Sequence, residues 1–110
     1  MNGFYLTSVV KKLMQLTNYS IQSLPFPGFI LDKDMNVLAA TELAIEQFPS
    51  ITNFMEVIDL GSKKKFTNFF TPSLPLSNVE ITLLNKQNKL LLYDIHIVWE
   101  TEDRVNVFCI

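Results

Sequence analysis

The sequence predicts an α+β fold: a five-stranded antiparallel sheet with short helices on one face and an amphipathic flanking helix at the N-terminus. Three patterns predict it. Residues 4–18 repeat apolar positions with a helical period, residues 25–48 resemble two short strands that run into a helix, and residues 79–110 contain strand-like alternation. We therefore divide the chain into a flanking helix at residues 1–20 and one domain at residues 21–110.

The composition fits one folded domain and argues against charged partners. Hydrophobic residues make up 48% of the 110 residues and charged residues 18%, which is enough to build a single core. Nine lysines and arginines stand against eleven aspartates and glutamates, giving a net charge of −2. This charge offers no electrostatic reason to expect contact with nucleic acid or with an anionic membrane.

The sequence also predicts where the protein resides. No apolar run reaches the roughly 18 residues that a membrane span requires, and the N-terminus lacks the pattern of a signal peptide. Cys109 has no second thiol for a disulfide or a metal pair, which suits a reducing compartment. We expect a cytoplasmic location. Because residues 105–110 form a strand pattern with no polar end, we also expect a domain taken from a longer protein.

The flanking helix carries an apolar stripe at spacings of three and four residues. The stripe consists of Leu6, Val9, Val10, Leu13 and Leu16. Two interpretations stay open at this point, because the same stripe serves a helix that covers its own sheet and a helix that packs across a dimer.

The first hairpin and the helix that follows it are predicted from turn and capping residues. Residues 29–31 and 37–39 are short apolar strands, and residues 32–36 between them are rich in aspartate and asparagine, which favour turns. Thr41 is placed to cap a helix that buries Ala44 and Phe48, and Pro49 ends that helix.

Two further short helices are predicted in the middle of the chain, at residues 51–60 and 62–70. Thr52 or Asn53 caps the first and Gly61 ends it, while Ser62 caps the second. Lysines 63–65 are expected to face water. The apolar side chains predicted to face inward are Phe54, Met55, Ile58, Phe66, Phe69 and Phe70.

The last part of the chain alternates as three strands. One predicted face carries Val79, Ile81, Leu83, Tyr93, Ile95, Ile97, Trp99, Val107 and Cys109. The opposite, outer face is partly apolar through Leu92, Val98, Phe108 and Ile110. Such an apolar face needs a cover, which the flanking helix can supply.

This order of elements, two strands, three short helices and three antiparallel strands, resembles the PAS domain over residues 21–110. Asp32 stands where the family's first hairpin usually has an aspartate, and Thr41 stands where an asparagine is common. Met35-Asn36 and Gln87-Asn88 replace the usual turn residues, although asparagine tolerates the left-handed conformation. The resemblance implies a regulatory module of a larger signalling protein, a histidine kinase or a transcription regulator, whose output domain lies elsewhere in the same full-length chain.

The resemblance also implies an assembly, since flanking helices of PAS domains often pack on the outer face of the sheet and on a partner subunit. We therefore predict a homodimer. The predicted interface residues are Leu6, Val9, Val10, Leu13, Leu16, Phe108 and Ile110.

The sequence gives no catalytic or metal site. His96 is the only histidine and lies on the polar side of a strand pattern, which favours a solvent-facing or pair-bonded structural residue. PAS domains that bind haem usually place their ligand on the later helix, here residues 62–70 without histidine. Those that bind flavin carry a cysteine motif on an early helix, which is absent here. We expect neither cofactor and no enzymatic activity.

The aromatic residues leave two interpretations of the core. PAS domains that hold a ligand hold it between the helices and the sheet, and the candidate lining residues here are Phe54, Phe66, Phe69, Phe70, Tyr93 and Trp99. Because protein interiors pack closely, we expect a filled core first and a pocket for a small apolar ligand second.

Overall fold

A computed structural model describes residues 24–110. Within that range, five strands form one antiparallel sheet in the order β2-β1-β5-β4-β3. The strands are β1 (Gly28–Leu31), β2 (Val37–Ala40), β3 (Leu76–Leu84), β4 (Leu90–Thr101) and β5 (Arg104–Cys109). The predicted sheet is confirmed. The flanking helix predicted at residues 1–20, with its apolar stripe, lies outside the described residues.

The described part of the chain contains two short α-helices and two 3₁₀ turns. The helices are α1 (Glu42–Gln47) and α2 (Lys63–Phe69), and the 3₁₀ turns cover Phe54–Val57 and Leu60–Ser62. None of these helices is long and apolar enough to span a membrane. The prediction of a single helix over residues 51–60 is wrong, because that range holds one 3₁₀ turn at Phe54–Val57 and a second turn begins only at Leu60.

Hydrogen bonds to β3 explain that difference. Of the two predicted capping residues, Thr52 and Asn53, Asn53 caps the first 3₁₀ turn, and it shares a capping box with Glu56. The chain then bridges to the sheet, because the N–H of Asp59 donates to the carbonyl of Thr82 at 2.9 Å. Ser62 does not cap α2, since its hydroxyl accepts the N–H of Thr82 at 3.1 Å. Pairing with a distant strand overrides the local helical pattern.

The two faces of the sheet divide as the alternation predicted. Ile81, Ile95 and Val107 face the helices in the main core. Val98 and Phe108 lie on the outer face in a second apolar cluster with Leu24 and Ile30. The outer face is thus partly apolar. It is also partly exposed.

Exposure on the outer face is uneven. Phe108 is buried and meets the ring of Phe26 edge to face, at 5.6 Å between centroids. Leu92 and Ile110 keep 64% and 42% of their surface exposed. Of the apolar residues predicted to need a cover on this face, these two are the ones that present surface.

The turn of the first hairpin is built on the carboxylate of Asp32. It accepts the backbone N–H groups of Asp34 and Asn36, each at 2.9 Å, and the side-chain amide of Asn36 at 3.0 Å. These bonds, the side-chain bond first, hold the pKa of Asp32 below its usual value. Met35 takes the left-handed conformation with φ of 68°, which places its carbonyl to accept the N–H of Phe54 at 2.9 Å.

Thr41 joins the first hairpin to α1. Its side chain is fully buried, and its hydroxyl oxygen accepts the N–H of Gly28 at 2.9 Å and the N–H of Ala44 at 3.1 Å. The first bond closes the start of β1 and the second caps α1, as the sequence predicted. A side chain at Gly28 would crowd its neighbours, because a Cβ there would lie 3.0 Å from the ring of Phe108. One hydroxyl therefore fixes the corner where sheet and helix meet.

We expect Thr41→Val to destabilise the domain by about 2–4 kcal/mol, because two buried N–H groups lose their acceptor while the volume is kept. Thr41→Ser keeps the hydroxyl and is expected to cost about 1 kcal/mol for the lost methyl group. Urea unfolding followed by circular dichroism measures both. Equal destabilisation by the two variants would show that packing, not the hydroxyl, matters at this position.

Asp32 predicts a pH dependence. Because its folded pKa is depressed, its contribution to stability is present above the unfolded pKa and is lost as pH falls through the folded pKa. We expect Asp32→Asn to lower the unfolding midpoint at pH 7, and the difference from wild type to shrink as pH falls below 4. Asp34→Asn is the control, because Asp34 takes part in these bonds through its backbone N–H and not through its side chain, and it is expected to change little at either pH.

Candidate functional site

The predicted lining residues contain a continuous chain of aromatic contacts. Phe54 meets Phe66 at 5.3 Å between ring centroids, Phe66 meets Phe70 at 5.5 Å, and Phe70 meets Trp99 at 4.9 Å. Phe29 extends the chain to β1, with its ring 5.2 Å from that of Phe54. These rings run between the 3₁₀ turn, α2 and the sheet, which is the region that the pocket interpretation assigns to a ligand.

The other two predicted lining residues pack against the same core, and Tyr93 joins the aromatic chain through Phe48, whose ring lies 5.8 Å from that of Phe29. Tyr93 contacts the ring of Phe48 at 5.5 Å, near the end of α1. Phe69 is half-buried and packs against the main core. Sequence reasoning therefore identified these residues correctly as inward-facing, and all six belong to or pack against one core cluster.

A pocket of about 180 Å³ lies elsewhere, beside the edge strand β2. The segment 48–51 and α1 form its other walls. Its apolar lining residues are Phe29, Val37, Ala40, Ala44, Ile45, Phe48, Pro49 and Ile51. Sequence reasoning missed this pocket, although one signal was present. Alanines at 40 and 44 leave volume opposite large rings, and such small residues facing an aromatic core mark space that is not filled.

Lys86 stands at the rim of that pocket. Its ammonium group donates to the carbonyl of Ile45 at 3.0 Å, and its backbone N–H donates to the carbonyl of Gln47 at 2.8 Å. The last turn of α1 has no basic residue of its own, so Lys86 supplies the positive charge that a helix C-terminus favours. Among residues 24–110, no carboxylate lies within ion-pair distance of this ammonium group.

His96 is buried on the outer face of the sheet and is pair-bonded. Its Nε2 lies 3.1 Å from a carboxylate oxygen of Asp94, whose other oxygen accepts the side-chain amide of Asn78 at 3.1 Å. The solvent-facing alternative is wrong, and the pair-bonded one is confirmed. Within the described range, no three histidine, cysteine or carboxylate side chains form a cluster that could hold a metal ion.

Cys109 is buried on the inner face of β5, and burial raises the pKa of its thiol far above the usual value. Burial likewise raises the pKa of Tyr93, and the nearby sulfur of Cys109 adds to that effect. A thiol reacts as its thiolate, so this cysteine is held in its inert form. It is a core residue.

Comparison with known proteins gives likeness of structure but not of sequence. No family model matches the sequence, and no curated protein matches it. A PAS domain from a two-component sensor histidine kinase is similar, with a TM-score of 0.68 and 10% identity over 91% of this chain and 96% of that one. The PAS domain of an HTR-like protein from Haloarcula marismortui has a TM-score of 0.64 and 12% identity over 94% of both chains.

We expect Cys109 to resist a thiol reagent such as DTNB at pH 8 until the domain unfolds, because the reactive thiolate is suppressed and the sulfur is covered. The exposed variant Ser73→Cys, made in a Cys109→Ala background, is the control and is expected to react at once. Absorbance at 412 nm measures both. Full reaction of Cys109 within seconds in the folded wild type would contradict the burial described here.

Proposed function

Because the chain has the PAS fold, we propose that it is a regulatory domain of a larger cytoplasmic signalling protein, a histidine kinase or a transcription regulator. It acts through dimerisation and protein interaction, not through chemistry of its own. The observation that carries this proposal is the likeness, over nearly the full length of both chains, to a PAS domain of a sensor histidine kinase.

The packed core supports regulation by packing. The aromatic chain from Phe54 to Trp99 links α2 to β4 through direct ring contacts. Closely packed side chains transmit small displacements because they cannot be compressed. A shift at α2 is therefore passed to the sheet without any bound cofactor.

The outer face supports dimerisation. Leu92 and Ile110 expose apolar surface there beside the buried Val98 and Phe108. Burying one such leucine contributes about 2 kcal/mol, whereas association costs about 4–15 kcal/mol, so the sheet alone does not suffice. The proposed homodimer therefore also buries the predicted stripe of Leu6, Val9, Val10, Leu13 and Leu16.

Ligand sensing is a second candidate function, and the pocket beside β2 favours it. The wall residues come from β1, β2 and α1, so an occupant contacts both layers of the domain. Native mass spectrometry of freshly purified protein separates the two functions. A retained small molecule supports the sensor, and uniformly empty protein supports the interaction module.

We expect Leu92→Glu combined with Ile110→Glu to convert a dimer into a monomer in sedimentation velocity experiments, because charges in an apolar interface cannot be solvated. The two side chains are 64% and 42% exposed in the single chain, so we expect the fold to be kept. Leu60→Glu is the matched control, because Leu60 is 82% exposed but lies in a 3₁₀ turn instead of on the sheet.

The same experiment with Val9→Glu and Leu13→Glu tests the stripe on the flanking segment. Loss of the dimer in both pairs of variants, with the control still dimeric, supports the proposed interface. A wild-type protein that sediments as a monomer at high micromolar concentration contradicts it.

A further inference from the structure

The pocket beside β2 combines an apolar floor with a single cationic rim. Its floor is formed by the rings of Phe29 and Phe48 and by the side chains of Ala44 and Ile51. Lys86 and the hydroxyl-bearing Ser50 also line the pocket, and the ammonium group of Lys86 bonds to the carbonyl of Ile45, another lining residue. An apolar cavity with one charge at its mouth discriminates by charge as well as by shape.

We infer that this pocket binds a small monocarboxylate whose apolar tail is about the size of one ring. The inference rests on ligand sensing, the second function proposed above, and names the class of ligand. The tail enters the pocket beside the rings of Phe29 and Phe48, which contact each other at 5.8 Å between centroids, and the carboxylate lies against Lys86.

Lys86 is held in place for this role. Its bond to the carbonyl of Ile45 at 3.0 Å uses one of three N–H donors and fixes the ammonium group above the end of α1. The bond between its backbone N–H and Gln47 fixes the base of the side chain as well. Two donors remain for a carboxylate. Because these two hydrogen bonds already restrict the side chain of Lys86, it loses little rotamer freedom when a ligand binds.

The edge of β2 supplies a further donor. The N–H of Thr41 donates to the carbonyl of Gly28, so the backbone groups of Thr41 point toward β1. Backbone groups of successive strand residues point to opposite sides, so the N–H and carbonyl of Ala40 point away from β1. On that side the N–H of Val37 already reaches the carbonyl of Thr52 at 2.9 Å, which places the segment 50–52 along the same edge. The N–H of Ala40 therefore points away from β1 at the sheet edge, and Ala40 also lines the pocket.

The volume sets the size of the tail. The pocket measures about 180 Å³, whereas an apolar protein cavity of roughly 150 Å³ admits benzene. A benzene ring or a branched chain of similar size fits, and long acyl chains do not. Benzoate is accordingly the probe, and benzyl alcohol is its uncharged counterpart.

The test is a titration of the domain with benzoate, followed by amide chemical shifts in ¹H–¹⁵N correlation spectra. We expect shifts at Ala40, Ala44, Ser50 and Lys86. Lys86→Gln is expected to weaken benzoate binding about fivefold at low salt, and Lys86→Arg to restore it, as for one exposed ion pair. Lys89→Gln is the matched control, since Lys89 belongs to the same turn but does not line the pocket.

The outcomes separate the inference from the function on which it rests. Benzoate shifts at these amides that weaken in Lys86→Gln alone support the monocarboxylate. Equal binding of benzoate and benzyl alcohol, with no effect of Lys86→Gln, overturns the ligand class and leaves ligand sensing standing. The absence of shifts with either probe at 10 mM overturns both. Ala40→Leu, which fills the pocket, is expected to abolish the shifts while its spectrum stays dispersed.

Discussion

The buried hydroxyl of Thr41 is the contact on which the arrangement of this domain depends. It accepts one N–H from the start of β1 and one from the first turn of α1, and neither group has water as an alternative partner. The position of α1 sets one wall of the pocket beside β2, and the start of β1 determines where β5 pairs. Geometry at one corner thereby controls both the sheet and the candidate site.

Local patterns predicted the parts of the fold that local chemistry determines. Alternation placed Ile81, Ile95 and Val107 on the inner face, and the capping preference of threonine placed Thr41 at the start of α1. Asn88 takes the left-handed conformation with φ of 64°, as an asparagine in that turn can. Each of these features depends on neighbours within a few residues, so the sequence alone contains the information.

The features that could not be predicted depend on contacts between distant residues. The helix expected over residues 51–60 breaks because Asp59 and Ser62 both bond to the backbone of Thr82. Ser62 is 20 positions from Thr82 in the sequence, and Asp59 is farther away still. The pocket needs Lys86 to reach Ile45 across 41 positions, and it needs β2 to be at the edge of the sheet. Neither condition is visible in a hydrophobic pattern. The aromatic residues were recognised as interior, but their order of contact is a property of the packed core.

The strand order has a consequence for how the chain folds during synthesis. The last strand, β5, lies in the middle of the sheet, between β1 and β4. Until it forms, the chain holds two separate hairpins, β1 with β2 and β3 with β4, and an isolated two-stranded hairpin is marginally stable in water. Pairs such as Gly28 and Phe108 join opposite ends of the domain, and closing such long loops is slow. The sheet therefore cannot be completed on the ribosome until residues 104–109 have emerged, and truncation before them leaves two unconnected halves instead of a smaller domain.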